Sequence, residues 1–231
     1  MSPFVRVTLA ILRKDLRREL RTKETVSSMF VFAVLVVVVF NFTLALDSVR
    51  ALELGPGILW TAFVFAATLG LNRSFAAERE NESLSGLIMA PVDRSAIYFG
   101  KLGSNLLFML VMEALILPVF IVFFNVNVSE VLPGDDLAWF ALVLVLGTTG
   151  FTALGTILSA ITSSTTMRDV LLPLLLLSFA VPVIVASAEA TRLLFDVDPL
   201  TGPGSWLKLL AVCTVSYVTV SWMIFEYVLE D

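Results

Sequence analysis

Apolar runs long enough to cross a bilayer recur along this chain, and they constrain its fold more than any motif does. The first, SMFVFAVLVVVVFNFTLAL over residues 28–46, carries no charge at all. Crossing a hydrocarbon core of ~30 Å takes about 20 mostly apolar residues in a helix. Comparable runs follow at about 58–75, 97–124, 137–161, 170–188 and 206–229, the second introduced by an expected turn at Gly55-Pro56-Gly57. Composition agrees: 58% of the 231 residues are apolar and 15% charged, against roughly 45–50% and about 25% in soluble domains. The expected fold is an all-α integral membrane protein of six transmembrane helices, one domain over 1–231, with the bundle at 28–229.

Residues 3–22, PFVRVTLAILRKDLRRELRT, are no span. Val5, Leu9, Leu12, Leu16 and Leu20 recur at steps of three and four, while Arg6, Arg13, Lys14, Arg17, Arg18 and Arg21 occupy other faces. That pattern is an amphipathic helix, expected over 1–25 in the headgroup layer with membrane lipid as its partner, or else a cytoplasmic helix packed on a partner. With the amino terminus inside, the inner segments hold Arg6, Arg13, Lys14, Arg17, Arg18, Arg21, Lys23, Arg73, Arg79, Arg94, Lys101 and Arg168. Only Arg50, Arg192 and Lys208 of the 15 basic residues fall outside. The positive-inside rule then places both termini in the cytoplasm. The outer loops, NVNVSEVLPGDD and EATRLLFDVDPLTGPG, are acidic and rich in turn residues. The net charge of −5 therefore reflects a division across a membrane, and no nucleic-acid partner is expected.

Several chemistries have no residues to perform them. There is no histidine, which removes the commonest metal ligand and general base, and neither a metal site nor a catalytic residue is expected. No phosphate loop, C-x-x-C, H-E-x-x-H, G-x-S-x-G or G-x-G-x-x-G occurs. The single cysteine, Cys213, allows no internal disulfide. The first 25 residues are too charged for a cleavable signal peptide.

One carboxylate stands out inside the membrane. Glu113 lies 11 residues beyond Leu102, near the midplane at ~1.5 Å per residue. An ionisable group there marks a pathway or relay, or it is hydrogen-bonded purely for packing; Asn41 in the first span is a candidate neighbour by residue type. Pro118, Pro173 and Pro182 can each kink their helix. In the fourth span Gly147, Gly150 and Gly155, with Thr148, Thr152 and Thr156 at i+4 spacing, suit close helix contact.

Between the second and third spans runs ERENESLSGLIMAPVDRSAIYFGK, residues 78–101. Glu78, Arg79, Glu80, Glu82 and Ser83 suit a helix start. Leu84, Leu87 and Ile88 form an apolar ridge, and Pro91 stops the run before Asp93 and Arg94. A short amphipathic helix across the cytoplasmic face fits a groove on a soluble partner, or burial against the membrane ends of the chain itself.

FAAERENESLSGLIMAPVDRSAIYFGK, GTTGFTALGTILSAIT and LLPLLLLSFAVPVIVASAEAT, in this order, resemble the CcmB family, the membrane subunit of the cytochrome c maturation ABC transporter. The resemblance covers essentially the whole chain. It departs from the family's E-x-G-[ST]-L-E segment at Glu82, where glycine is expected, and at Ser85, where glutamate is. It implies a non-catalytic permease in the inner membrane, working with a separate ATPase similar to CcmA, which binds the ATP, and with haem-handling proteins similar to CcmC, CcmD and CcmE. Two permease chains per complex are implied. So is a coupling helix within 76–96 that uses Glu78, Arg79, Glu80, Glu82, Leu84, Leu87, Ile88, Pro91, Asp93 and Arg94. Haem is the implied cargo, unless ATP serves instead to release a haem-loaded chaperone; no cofactor is expected on this chain itself. An ABC-2-type exporter permease for a drug, lipid or polysaccharide would share the architecture. A proton-coupled secondary transporter acting through Glu113 is a third reading.

Overall fold

The computed structural model describes residues 3–44, 48–80, 93–163, 165, 167–196 and 202–228. Its helices are α1 (Pro3–Thr22), α2 (Glu24–Leu44), α3 (Ser48–Glu80), α4 (Arg94–Phe123), α5 (Val128–Val131), α6 (Asp136–Thr162), α7 (Arg168–Phe195) and α8 (Gly204–Val228). No strand occurs among the described residues. Six of the helices, α2, α3, α4, α6, α7 and α8, are long and apolar enough to cross a membrane.

Local chemistry sets the breaks. Lys23 has φ 54°, the left-handed conformation that helices cannot propagate, so α1 ends there. Glu19 then caps α2: its Oε1 accepts from the Val26 amide at 2.8 Å and its Oε2 from the Thr25 amide at 3.3 Å. Asn125 at φ 51° closes the outermost turn of α4, and Pro133-Gly134, with Gly134 at φ 57°, redirects the chain into α6.

The bundle has an inside and a rim. Within their spans α3 is 72% and α6 50% buried, whereas α2 and α8 are each 17% buried. So α3 and α6 form the centre, flanked by α4 and α7, with α2 packed on α3 and α4, and α8 packed on α6 and α7. Val31, Leu35, Val39 and Phe42 on α2, and Val212, Val215 and Met223 on α8, remain exposed, as lipid-facing residues must.

Two expected boundaries are corrected. Gly55-Pro56-Gly57 is no turn; it lies within α3, which begins at Ser48. Proline at that position removes one backbone donor, and Gly55 lets the helix press on α4: a Cβ there would sit 2.9 Å from Phe120 Cζ. The fifth span does not end near residue 188. α7 runs on to Phe195, because Ala190, Thr191, Leu193, Leu194 and Phe195 are buried, with Phe195 against Phe140 of α6. Pro118, Pro173 and Pro182 all lie inside continuous helices.

Candidate functional site

α1 does not lie apart from the bundle. Its apolar edge docks on the first turns of α4, where two glycines form a notch. A Cβ on Gly100 would meet Ile11 Cβ at 2.9 Å and the Thr8 carbonyl oxygen at 3.2 Å, and one on Gly103 would meet Leu12 Cδ1 at 2.9 Å. The Thr8 hydroxyl donates to the Ala96 carbonyl at 3.3 Å, and Phe4 packs edge-on against Phe99. Within this dock lies an ion pair, Lys101 Nζ to Asp15 Oδ2 at 2.9 Å, whose side chains are only 3% and 10% exposed. Two charges withdrawn from water to this degree need partners, and Asp15 has a second, longer one in Lys14, whose Nζ lies 3.5 Å from Oδ1.

That pair forms one wall of a polar cavity of about 410 Å³ between α1, α2, α3, α4 and α7. Arg18, Arg73, Lys101 and Arg168 face Asp15, Glu19, Glu24 and Asp169 across it, and Asn105 lies where it narrows. Most of the carboxylates are held in place. Arg73 approaches Glu24 at 3.7 Å, Asp169 accepts from Asn72 Nδ2 at 2.9 Å, and Glu19 caps α2.

From the cavity a polar seam climbs between α4 and α6. On α4, Lys101, Asn105, Met109 and Glu113 repeat every four residues, so they stack on one face at ~6 Å steps. On α6, Thr156, Thr152 and Thr148 repeat at the same interval in the opposite direction. The rungs match: Asn105 Nδ2 donates to Thr156 Oγ1 at 3.0 Å, Thr152 Oγ1 approaches Met109 Sδ at 3.5 Å, and Thr148 Oγ1 donates to Glu113 Oε1 at 2.6 Å. Two small voids of about 10 Å³ follow the seam. One is bounded by Asn105 and Met109, the other by Met109, Glu113 and Thr148.

Glu113 is 2% exposed. Among the described residues its second oxygen, Oε2, has no hydrogen-bond partner, and neither has the Ser187 hydroxyl. No basic side chain among them lines the void beside it. Its neighbour is Thr148, not Asn41. Asn41 Nδ2 donates to the Phe123 carbonyl at 2.6 Å, closing the last turn of α4 ten residues, or about 15 Å, from Glu113.

The three α6 glycines between them meet α3, α7 and α8. A Cβ on Gly147 would overlap Trp60 of α3 and Ser187 of α7, one on Gly155 would overlap Leu71 of α3, and one on Gly150 would meet Thr214 Oγ1 of α8 at 2.9 Å. Trp60 in turn donates to Thr191 Oγ1 at 3.0 Å, tying α3 to the extension of α7. Sequence reasoning missed Asp15, Lys101, Asn105, Trp60 and Ser187. The only signal available was the four-residue repeat from Lys101 to Glu113.

The segment after the second span is described at its ends alone. Glu78, Arg79 and Glu80 form the last turn of α3 instead of starting a helix of their own, since Ala76-Ala77 and the residues after them offer nothing to stop one. Glu82, Leu84, Leu87, Ile88 and Pro91 lie outside the described residues. Asp93 caps α4, accepting from the Ser95 amide at 2.8 Å. Arg94 Nη1 donates to the Glu226 carbonyl at 3.0 Å and Trp222 Nε1 to Ser95 Oγ at 2.9 Å. The start of α4 is thereby fastened to the end of α8. Among the described residues no cluster of potential metal ligands occurs.

Six apolar helices around a buried polar seam, with a basic amphipathic helix docked over its open end, define a multi-pass helical membrane protein. The chain belongs to the CcmB family, described as CcmB protein, which matches residues 6–229. It is 30% identical to Heme exporter protein B of Rhodobacter capsulatus over 183 residues, 79% of this chain and 81% of that one. It is also 30% identical to Heme exporter protein B of Paracoccus denitrificans over 193 residues, covering 83% and 86%. To the protein of the same name in Pseudomonas aeruginosa it is 24% identical over 206 residues, covering 89% and 90%.

Proposed function

We propose that this chain is the membrane permease subunit of an ABC transporter acting in cytochrome c maturation, either exporting haem or driving release of a haem-loaded chaperone. The observation that carries this reading is the family match along residues 6–229, supported by relatives named Heme exporter protein B that align over most of both chains. The subunit itself is non-catalytic; ATP is hydrolysed by a separate CcmA-like ATPase, and CcmC-, CcmD- and CcmE-like proteins handle the haem. Two copies of the chain sit in each complex. The protein resides in the inner membrane with both termini cytoplasmic, a placement supported by the concentration of Arg and Lys on α1 and at the neighbouring helix ends.

Residues 76–96 couple the ATPase to the bundle. The segment joins the end of α3 to the start of α4, and the Arg94 contact carries any displacement on to α8. The ridge of Leu84, Leu87 and Ile88 is the contact for the ATPase. The test is affinity purification of the tagged chain in mild detergent, with and without the double change Leu84→Asp, Leu87→Asp. An ATPase identified by mass spectrometry and by ATP hydrolysis is expected with the native chain and absent with the variant. Absence of any ATPase from the native preparation overturns the reading.

A further inference from the structure

A groove of about 740 Å³ runs down the side of α2 where it meets α3. Its upper end is polar, with Thr22, Lys23, Ser27 and Arg73, and Glu24 beside Arg73 at 3.7 Å. Its lower part is apolar, with Val31, Phe32, Leu35 and Leu69; Val31 and Leu35 are 54% and 55% exposed. From Lys23 to Leu35 the helix rises about 18 Å, close to one leaflet of a ~30 Å hydrocarbon core. At Thr22 the groove meets a second concavity, of about 720 Å³, walled by Arg17, Arg18 and Arg21. None of these three guanidinium groups, nor Lys23, has an ion-pair partner among the described residues.

Hydroxyls and cations at one end and an apolar channel one leaflet long at the other match the parts of a phospholipid. The surplus of unpaired guanidinium groups beside the polar end selects an anionic headgroup over a zwitterionic one. We propose that this groove is a binding site for a single anionic phospholipid of the leaflet on the α1 side. The phosphate lies at the end held by Lys23 and Arg73, and one acyl chain lies along Val31, Phe32, Leu35 and Leu69. The bound lipid bridges α1, α2 and α3 at the Lys23 break. The inference goes beyond the transporter reading and does not depend on it, because the site is defined without reference to an ATPase or a cargo.

The experiment is native mass spectrometry of the delipidated full chain in detergent, titrated with phosphatidylglycerol, phosphatidylcholine or inorganic phosphate. The native chain is expected to retain one phosphatidylglycerol in preference to phosphatidylcholine. Lys23→Gln with Arg73→Gln should weaken that binding by roughly fivefold per cation removed. Leu35→Trp, which fills the apolar part without touching charge, should weaken it too, while Arg6→Gln, a loss of charge on α1 outside both concavities, should leave it in place. Circular dichroism of each variant confirms that the helices are intact. Equal retention of the two lipids, or a loss in Arg6→Gln equal to that per cation in the Lys23/Arg73 variant, overturns the site in favour of diffuse attraction. Displacement of the lipid by inorganic phosphate with no effect of Leu35→Trp overturns it in favour of a free-anion site.

Discussion

Glu113 and Thr148 show how much a single hydroxyl can carry. A carboxyl group 2% exposed with one oxygen unpartnered depends on the one donor it has, Thr148 at 2.6 Å. Thr148→Val leaves both oxygens bare, and a loss of about 1–3 kcal/mol is expected, read as a lower unfolding midpoint in detergent. Glu113→Gln keeps an acceptor for Thr148, so its stability should stay within about 1 kcal/mol of the native chain. If the seam is packing, cytochrome c assembly survives Glu113→Gln; abolished assembly with unchanged stability would assign the group to a pathway instead. A similar contrast applies to Asp15 and Lys101. Lys101→Met alone leaves the buried Asp15 carboxylate with only the longer contact to the half-exposed Lys14 at 3.5 Å, at an expected cost of up to about 3 kcal/mol. The double change Asp15→Leu, Lys101→Met should recover most of that loss, because removing both charges also removes their desolvation. A double variant as unstable as the single one would show that the pair contributes more than mutual neutralisation.

At the scale of the helix, α1 depends on absent side chains. The notch at Gly100 and Gly103 admits Ile11 and Leu12 with no room for a Cβ. Gly100→Leu is therefore expected to lift α1 from α4, making the Arg-rich segment 13–21 markedly more sensitive to trypsin while the spans persist; unchanged proteolysis would show that α1 is held elsewhere. Much of this level was legible beforehand, because it is written in local periodicity. Residues 3–22 repeat their leucines at three and four, and α1 spans Pro3–Thr22; the run at 137–161 carries no charge along its whole length, and α6 spans Asp136–Thr162. Legibility ended where a tertiary contact overrides a local signal. Gly55-Pro56-Gly57 has turn chemistry, yet Phe120 packing on Gly55 keeps it helical. Residues 189–195 look like the start of a loop, yet Trp60 bonding to Thr191 and Phe140 packing on Phe195 prolong α7. Partners 86 residues apart, such as Asp15 and Lys101, leave no mark on each other's neighbourhood, so the seam's lower end could not be read.

Across the whole molecule, polar groups collect at one end and thin toward the middle: an open cavity, then two rungs, then a lone carboxyl. The start of α4 contributes to all of this, since it carries the Asp93 cap, the Arg94 link to α8, the notch for α1 and Lys101. In the proposed transporter a displacement entering between α3 and α4 reaches α1 and α8 together. Arg94→Ala is expected to leave the ATPase bound and hydrolysing while cytochrome c output falls, since the link to Glu226 is lost; unchanged output would place transmission in α3 alone. The docking of α1 also sets an order of events during synthesis. Thr8 finds its partner in Ala96, 88 residues later in the chain. At about 5–20 residues per second, the ribosome adds Thr8 roughly 4–18 s before Ala96. For that interval α1 is without its dock, and its arginines hold it at the membrane surface until α4 arrives.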